Sequence, residues 1–137
     1  MKVKIFFIIS IFIILLIPNY VEANNAQDIS KQVKVTYNNQ TITKLSDNNT
    51  NTKINILANK EISIISDSPI YCMYIKYEKK SSVGVVSYNE QQKNIGENGF
   101  LHEYIELENI TNEIKIIYNE NVEISEIYCF TEGDVPQ

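Results

Sequence analysis

From residue 33 to residue 130 the chain alternates apolar and polar side chains with a period of two. The alternation runs in short stretches broken by Asn, Ser and Gly. That is the pattern of half-buried β-strands, whose successive side chains point to opposite faces. Residues 33–37 and 40–43 form two such stretches around Asn38-Asn39. Asn tolerates the positive φ of a tight hairpin turn, so this pair predicts a hairpin. A polar loop at 45–52 follows, then strands at 54–57 and 62–65 with Asn59-Lys60 between them, then a turn at 66–69. The longest strand falls at 70–78. It sets Tyr71, Met73, Ile75 and Tyr77 on one face and Cys72, Tyr74 and Lys76 on the other. Strands at 83–88, 100–107, 114–118 and 122–130 complete the set, with residues 89–99 read as a polar loop. No stretch of ten residues carries a 3.6-residue period, so no helix is expected here beyond a turn. About eight short strands separated by turns predict an all-β fold, a single β-sandwich or jelly roll.

The first residues break the pattern. Met1-Lys2-Val3-Lys4 precedes a run from Ile5 to Ile17 that only Ser10 interrupts; Pro18-Asn19 ends it and Val21-Glu22-Ala23 follows. A positive start, an apolar stretch shorter than the about 20 residues of a spanning helix and a small-x-small site are the parts of a secretory signal peptide. The expected organisation is a signal peptide at 1–23 and one β domain at 24–137, exported and free of a membrane anchor after cleavage.

Composition then narrows the partners. The chain has 17 acidic residues against 12 Lys+Arg, all of them Lys. Arg is the fork-shaped partner of phosphates and base edges, and basic segments are what anionic membranes attract. An acidic domain without Arg is a poor fit to nucleic acid or to such membranes.

Catalytic chemistry is hard to assemble. His102 is the sole histidine, so it would have to serve any Ser-His-Asp or Cys-His mechanism. Zinc would need a clustered set of N and S ligands that the chain lacks. Cys72 and Cys129 are the two cysteines. In an exported protein they are either a disulfide or two small buried thiols. The loop 45–52, Leu-Ser-Asp-Asn-Asn-Thr-Asn-Thr, is rich in the oxygen ligands that Ca²⁺ takes. It lacks EF-hand spacing, so it reads as a solvated loop held by Asx turns, with Ca²⁺ the lesser alternative and no cofactor expected in this chain.

Three stretches are similar to a known family. They are Leu45-Ser46-Asp47 ahead of a Thr-rich segment, the run Gly96-Glu97-Asn98-Gly99-Phe100-Leu101-His102-Glu103-Tyr104 continuing to Leu107, and the run from Ile124 through Tyr128-Cys129-Phe130-Thr131-Glu132-Gly133 to Pro136. Together with Tyr74-Ile75-Lys76-Tyr77 they resemble the N-terminal β domain of secreted bacterial PIG-L (LmbE-like) deacetylases. The resemblance implies a galactose-binding-like jelly roll. It also implies that catalysis belongs to a separate domain, where a His-x-Asp-Asp-Glu motif holds zinc. This chain has no Asp-Asp-Glu, so no catalytic residue carries over, and zinc is expected only in that other domain. What the resemblance leaves is an accessory module without catalysis of its own, of the kind a truncated gene would leave. Such a module binds cell-wall or extracellular glycan, or else packs on a deacetylase domain without binding a ligand. Loops 45–52 and 89–102 are the expected contact region, with Asp47, Tyr88, Phe100, His102, Glu103 and Tyr104 as the candidate ligand-binding residues.

Overall fold

A computed structural model describes residues 25–49, 51–80, 83–97 and 99–133. The expected signal peptide and the terminal Asp134-Val135-Pro136 lie outside the described residues. After a 3₁₀ turn at Ser30–Gln32 the chain forms eight strands: β1 Lys34–Tyr37, β2 Gln40–Ile42, β3 Ile54–Ile56, β4 Ile62–Lys79, β5 Gly84–Tyr88, β6 Gln91–Ile95, β7 His102–Tyr118 and β8 Val122–Phe130. All pairings are antiparallel. The fold is the expected all-β sandwich. Among the described residues no helix is long and apolar enough to cross a membrane.

Two long strands build both layers. The first part of β4 pairs with β1, and its second part pairs with β8. β7 follows it throughout, with Ile62 opposite Ile116 at one end and Lys76 opposite His102 at the other. One layer therefore runs β2-β1-β4-β7-β5-β6, and the other runs β3-β8-β4-β7. The crossing point lies where the β4–β7 register shifts, between Ile65 and Cys72. A strand that switches sheets through bulges is how sandwich corners are made. The sequence predicts a turn at 66–69, and the Ser and Pro signals do mark a bend. The chain does not reverse there because Asn112 holds the bend from outside, its side-chain amide donating to the carbonyls of Ser66 (3.0 Å) and Asp67 (3.3 Å).

The second departure is β6, which falls in the predicted polar loop. Four of its five residues, Gln91, Gln92, Lys93 and Asn94, are polar and only Ile95 is buried. An edge strand facing water needs no hydrophobic alternation, so it leaves no period-two signal. Its turn was legible in principle: Asn89 and Glu90 both have positive φ, as do Asn38 and Asn39 in the predicted hairpin. Two consecutive positive φ values are the requirement of a type I′ hairpin turn.

The core lies between the layers. Ile56, Ile62, Ile64, Ile70, Met73, Ile75, Ile114, Ile116, Tyr118 and Ile124 are fully buried, and Leu45 reaches into the same cluster from the loop after β2.

Candidate functional site

The alternation along β4 and β7 sends Met73, Ile75 and Ile105 into the core and turns Tyr74, Lys76, His102 and Tyr104 outward. Tyr104 and Tyr128 stand opposite Tyr74 on the two neighbouring strands. Residues directly opposite share a face, so three tyrosines form a row across β7, β4 and β8. Tyr74 is its centre, with ring centroids 4.3 Å from Tyr104, 5.9 Å from Tyr128 and 6.1 Å from His102. Phe100 extends the row along the chain, stacked 5.7 Å from His102. The surface is open, with Phe100 64% and Tyr104 51% exposed. Lys76 places its ammonium 5.9 Å from the Tyr74 ring centre and 6.0 Å from that of Tyr128. On the other side of this face, Cys72 and Phe130 are covered by Ala26, because residues 27 and 28 pair with Thr131 and Phe130 beside β8.

Of the six candidate residues, Phe100, His102 and Tyr104 are thus brought together, and the other three stand elsewhere. Glu103 alternates inward: both its carboxylate oxygens accept the N–H of Gly96, at 3.0 and 2.9 Å, so it braces the loop that carries Phe100. Tyr88 is 5% exposed and belongs to the core, its hydroxyl accepting the N–H of Glu108 at 3.1 Å. Asp47 lies in the loop between β2 and β3. Tyr74, Tyr128 and Lys76 were missed as candidates, although the outward register of 74 and 76 was legible. What the sequence did not give is which strand becomes their neighbour.

The loop 44–52 forms a second, separate cluster. Its turns are Asx turns, Asp47 accepting the N–H of Asn49 and Asn49 accepting that of Asn51. At its centre the Thr52 hydroxyl lies 2.8 Å from the carbonyl of Asn49, 3.1 and 3.3 Å from the two Asp47 oxygens and 3.3 Å from the carbonyl of Lys44. One hydroxyl proton cannot serve four acceptors. Beneath the loop Glu126 is fully buried; the amides of Asp47, Asn48 and Asn49 face its carboxylate without closing a hydrogen bond of full geometry. Burial and the nearby Asp47 carboxylate push it up to about 7, with the amides of Asn49, Asn48 and Asp47 pulling the other way. Oxygens crowded together above a buried carboxylate are a donor set that suits a hard cation such as Ca²⁺. Asp47, Thr52, Glu126 and the carbonyls of Lys44 and Asn49 are the residues that could hold it. Among the described residues no three His, Cys, Asp or Glu side chains gather as metal ligands.

Both cysteines are free and buried. Cys72 stands opposite Phe130, and Cys129 opposite Met73. They therefore point to opposite faces of the sheet, Cys129 into the main core and Cys72 into the outer cluster, and their side chains diverge from the geometry a disulfide needs. Of the two readings the sequence left open, the structure has the buried thiols. Burial pushes Cys129 up to about 12 and raises Cys72 as well, so neither is a ready nucleophile.

The fold has known counterparts. CpGH89CBM32-6 of Clostridium perfringens superposes with a TM-score of 0.62 at 19% identity, over 77% of this chain and 100% of that one. The family 32 carbohydrate-binding module of C. perfringens NanJ, solved with galactose, gives 0.59 at 12% identity, over 77% and 99%. A fucose-binding module of Streptococcus pneumoniae gives 0.61 at 11% identity, over 78% and 96%. These likenesses show the fold, the β-sandwich of those modules. No family model and no curated protein matches the sequence. Nothing in these comparisons links the chain to PIG-L deacetylases.

Proposed function

We propose that this chain is a non-catalytic carbohydrate-binding module of an exported bacterial protein and that it holds glycan on the surface centred on Tyr74. The observation that carries the reading is the open row of Tyr104, Tyr74 and Tyr128 with Phe100 and His102 beside it. Ring faces carry negative charge density, and the C–H groups of a pyranose present the complementary positive edge. An aromatic row held on paired strands is ordered before the sugar arrives, which lowers the cost of ordering it. The glycan-binding modules that share the fold support the same class. Their sugars give the starting panel for a test: galactose- and fucose-bearing polymers beside peptidoglycan and other amino-sugar polymers. Affinity electrophoresis should retard the protein on at least one of them, and Tyr74→Ala with Phe100→Ala should abolish the shift. Free migration of the wild type through every gel would overturn the reading.

In the same proposal, loop 44–52 takes Ca²⁺ on Asp47, Thr52 and Glu126, as a structural rather than a catalytic ion. The remaining reading is a module that docks on a deacetylase domain. It rests on the sequence resemblance alone, and it predicts that the exposed Phe100 and Leu101 become buried when the two are mixed.

A further inference from the structure

We propose that the Tyr74 surface selects saccharides that carry an anionic group, a carboxylate or a phosphate, and that Lys76 is the residue that reads it. The inference rests on the glycan-binding reading above and adds the ligand's charge to it. Lys76 is the cation at the middle of the aromatic row, half-buried between Tyr74 and Tyr128 and drawn to both ring faces. Lys76 has no salt bridge among the described residues, and what sets it apart is its place over two rings of the row. Its cross-strand neighbours are His102 and Glu126. The Glu126 carboxylate is buried beneath loop 44–52, facing the amides of Asp47, Asn48 and Asn49, and makes no salt bridge with Lys76. Asp28, nearer the N-terminal segment, is engaged by the N–H and hydroxyl of Ser30. Glu106, two residues beyond Tyr104, is opposite Cys72 rather than Lys76.

The result is a partly desolvated cation whose contacts are ring faces. A sugar lying on those faces and carrying a negative group meets the ammonium at close range, where a charge-assisted hydrogen bond is stronger than a neutral one. Long-range steering works the other way, because the chain as a whole carries a net charge of −5. Selection is therefore made in contact, by slower release rather than by faster arrival. A neutral sugar gains the stacking without the charge contact. His102, stacked against Phe100 and facing Tyr74, shapes the surface next to the ammonium.

The test is affinity electrophoresis of the whole domain in three matched gels. One contains polygalacturonate, one its methyl-esterified neutral form, and one a polyol-phosphate polymer. The expected result is retardation at least about fivefold stronger on one or both anionic polymers than on the neutral one. The carboxylate and phosphate arms identify which source supplies the anion. Lys76→Gln should bring its retardation on the anionic polymer down to its own retardation on the neutral one, and Lys76→Arg should preserve most of the difference. Equal retardation on anionic and neutral polymers, or a Lys76→Gln protein that keeps the preference, overturns this inference and leaves the glycan reading standing. No retardation on any of the three gels or on the wider panel removes both. A thermal melt of each variant confirms that a lost shift reflects the surface and not unfolding.

Discussion

Two tyrosine pairs join β4 to β7, one inside the sandwich and one on its outside. Inside, Tyr77 and Tyr118 meet edge to face, with ring centroids 6.0 Å apart, an interplanar angle of 85° and hydroxyls 2.7 Å apart. Tyr77 belongs to the part of β4 that pairs with β8, and Tyr118 to the part of β7 that pairs with β5, so the contact ties one layer to the other. Outside, Tyr74 and Tyr104 lie 4.3 Å apart at 36° within a single layer. The inner phenols are cut off from water. Burial raises both above the usual tyrosine range; one hydroxyl donates to the other, and the Glu103 carboxylate acts on Tyr77 as well. The outer rings keep a face free. The same residue type on the same two strands thus locks the fold in one place and offers a contact surface in the other, and the pleat decides which.

Removing one member from each pair should separate the two roles. Tyr118→Ala should cost about 3–5 kcal/mol, the usual range for truncating a buried aromatic, read from the urea midpoint. Tyr118→Phe keeps the ring and leaves the Tyr77 hydroxyl without it, at about 1–2 kcal/mol. A Tyr118→Ala protein as stable as wild type would mean that the inner pair does not tie the layers.

Glu126 and Lys76 repeat the contrast, as direct cross-strand partners with one carboxylate sealed in and one ammonium half open. Glu126 sits near 7 in the folded protein and near about 4.3 in an unfolded chain. The folded state therefore holds this proton more tightly. Its contribution is fully present below about pH 4, declines as pH rises through 7, and is flat above that. The amplitude is on the order of 3–4 kcal/mol. It is measured as the difference between wild type and Glu126→Gln in urea unfolding from pH 4 to 8, which subtracts the other carboxylates. Added Ca²⁺ at pH 7.5 should stabilise wild type and leave Glu126→Gln unchanged. A pH-independent difference, or equal stabilisation of both proteins, would show that the loop is held by its Asx turns alone.

Gly84 probes the inner pair from a third side. A Cβ there would lie 2.7 Å from a Tyr118 ring carbon and 2.9 Å from the Ile117 carbonyl oxygen. Ring and backbone must both yield, so Gly84→Ala should cost about 1–3 kcal/mol, measured by thermal and urea unfolding. An unchanged protein would show that Tyr118 has room the packing does not suggest.

These particulars also show what the sequence could and could not convey. The strands that alternate, such as 33–37, 70–78 and 122–130, were legible because each buries one face. β6 was not, since an edge strand of Gln, Lys and Asn buries almost nothing. The bend at 66–69 was legible as a bend but not as a continuing strand, because that depends on Asn112, some 45 residues away. For the site, Phe100, His102 and Tyr104 are neighbours along the chain and came out together. Tyr74 and Tyr128 join them only through pairing between strands, and register is a long-range property that no local window holds. Glu103 enters the candidate set through the resembling run at 96–107 and Tyr88 through its place beside loop 89–102. Alternation turns Glu103 toward Gly96, and burial takes Tyr88 into the core.

The smallest effect on stability should come from the outer pair, and it is the one that separates surface from scaffold. Tyr104 and Phe100 are more than half exposed, so Tyr104→Ala and Phe100→Ala should each stay within about 0.5 kcal/mol of wild type. Glycan retardation should nevertheless fall sharply in both. Tyr118→Phe should do the reverse, less stable yet retarded like wild type at a temperature where it remains folded. This crossed result cannot come from general loss of structure, because the more stable variants are the ones that lose binding. If instead Tyr104→Ala bound normally while Tyr118→Phe did not, the contact surface would have to lie elsewhere on the sandwich, and the outer row would be packing that happens to face water.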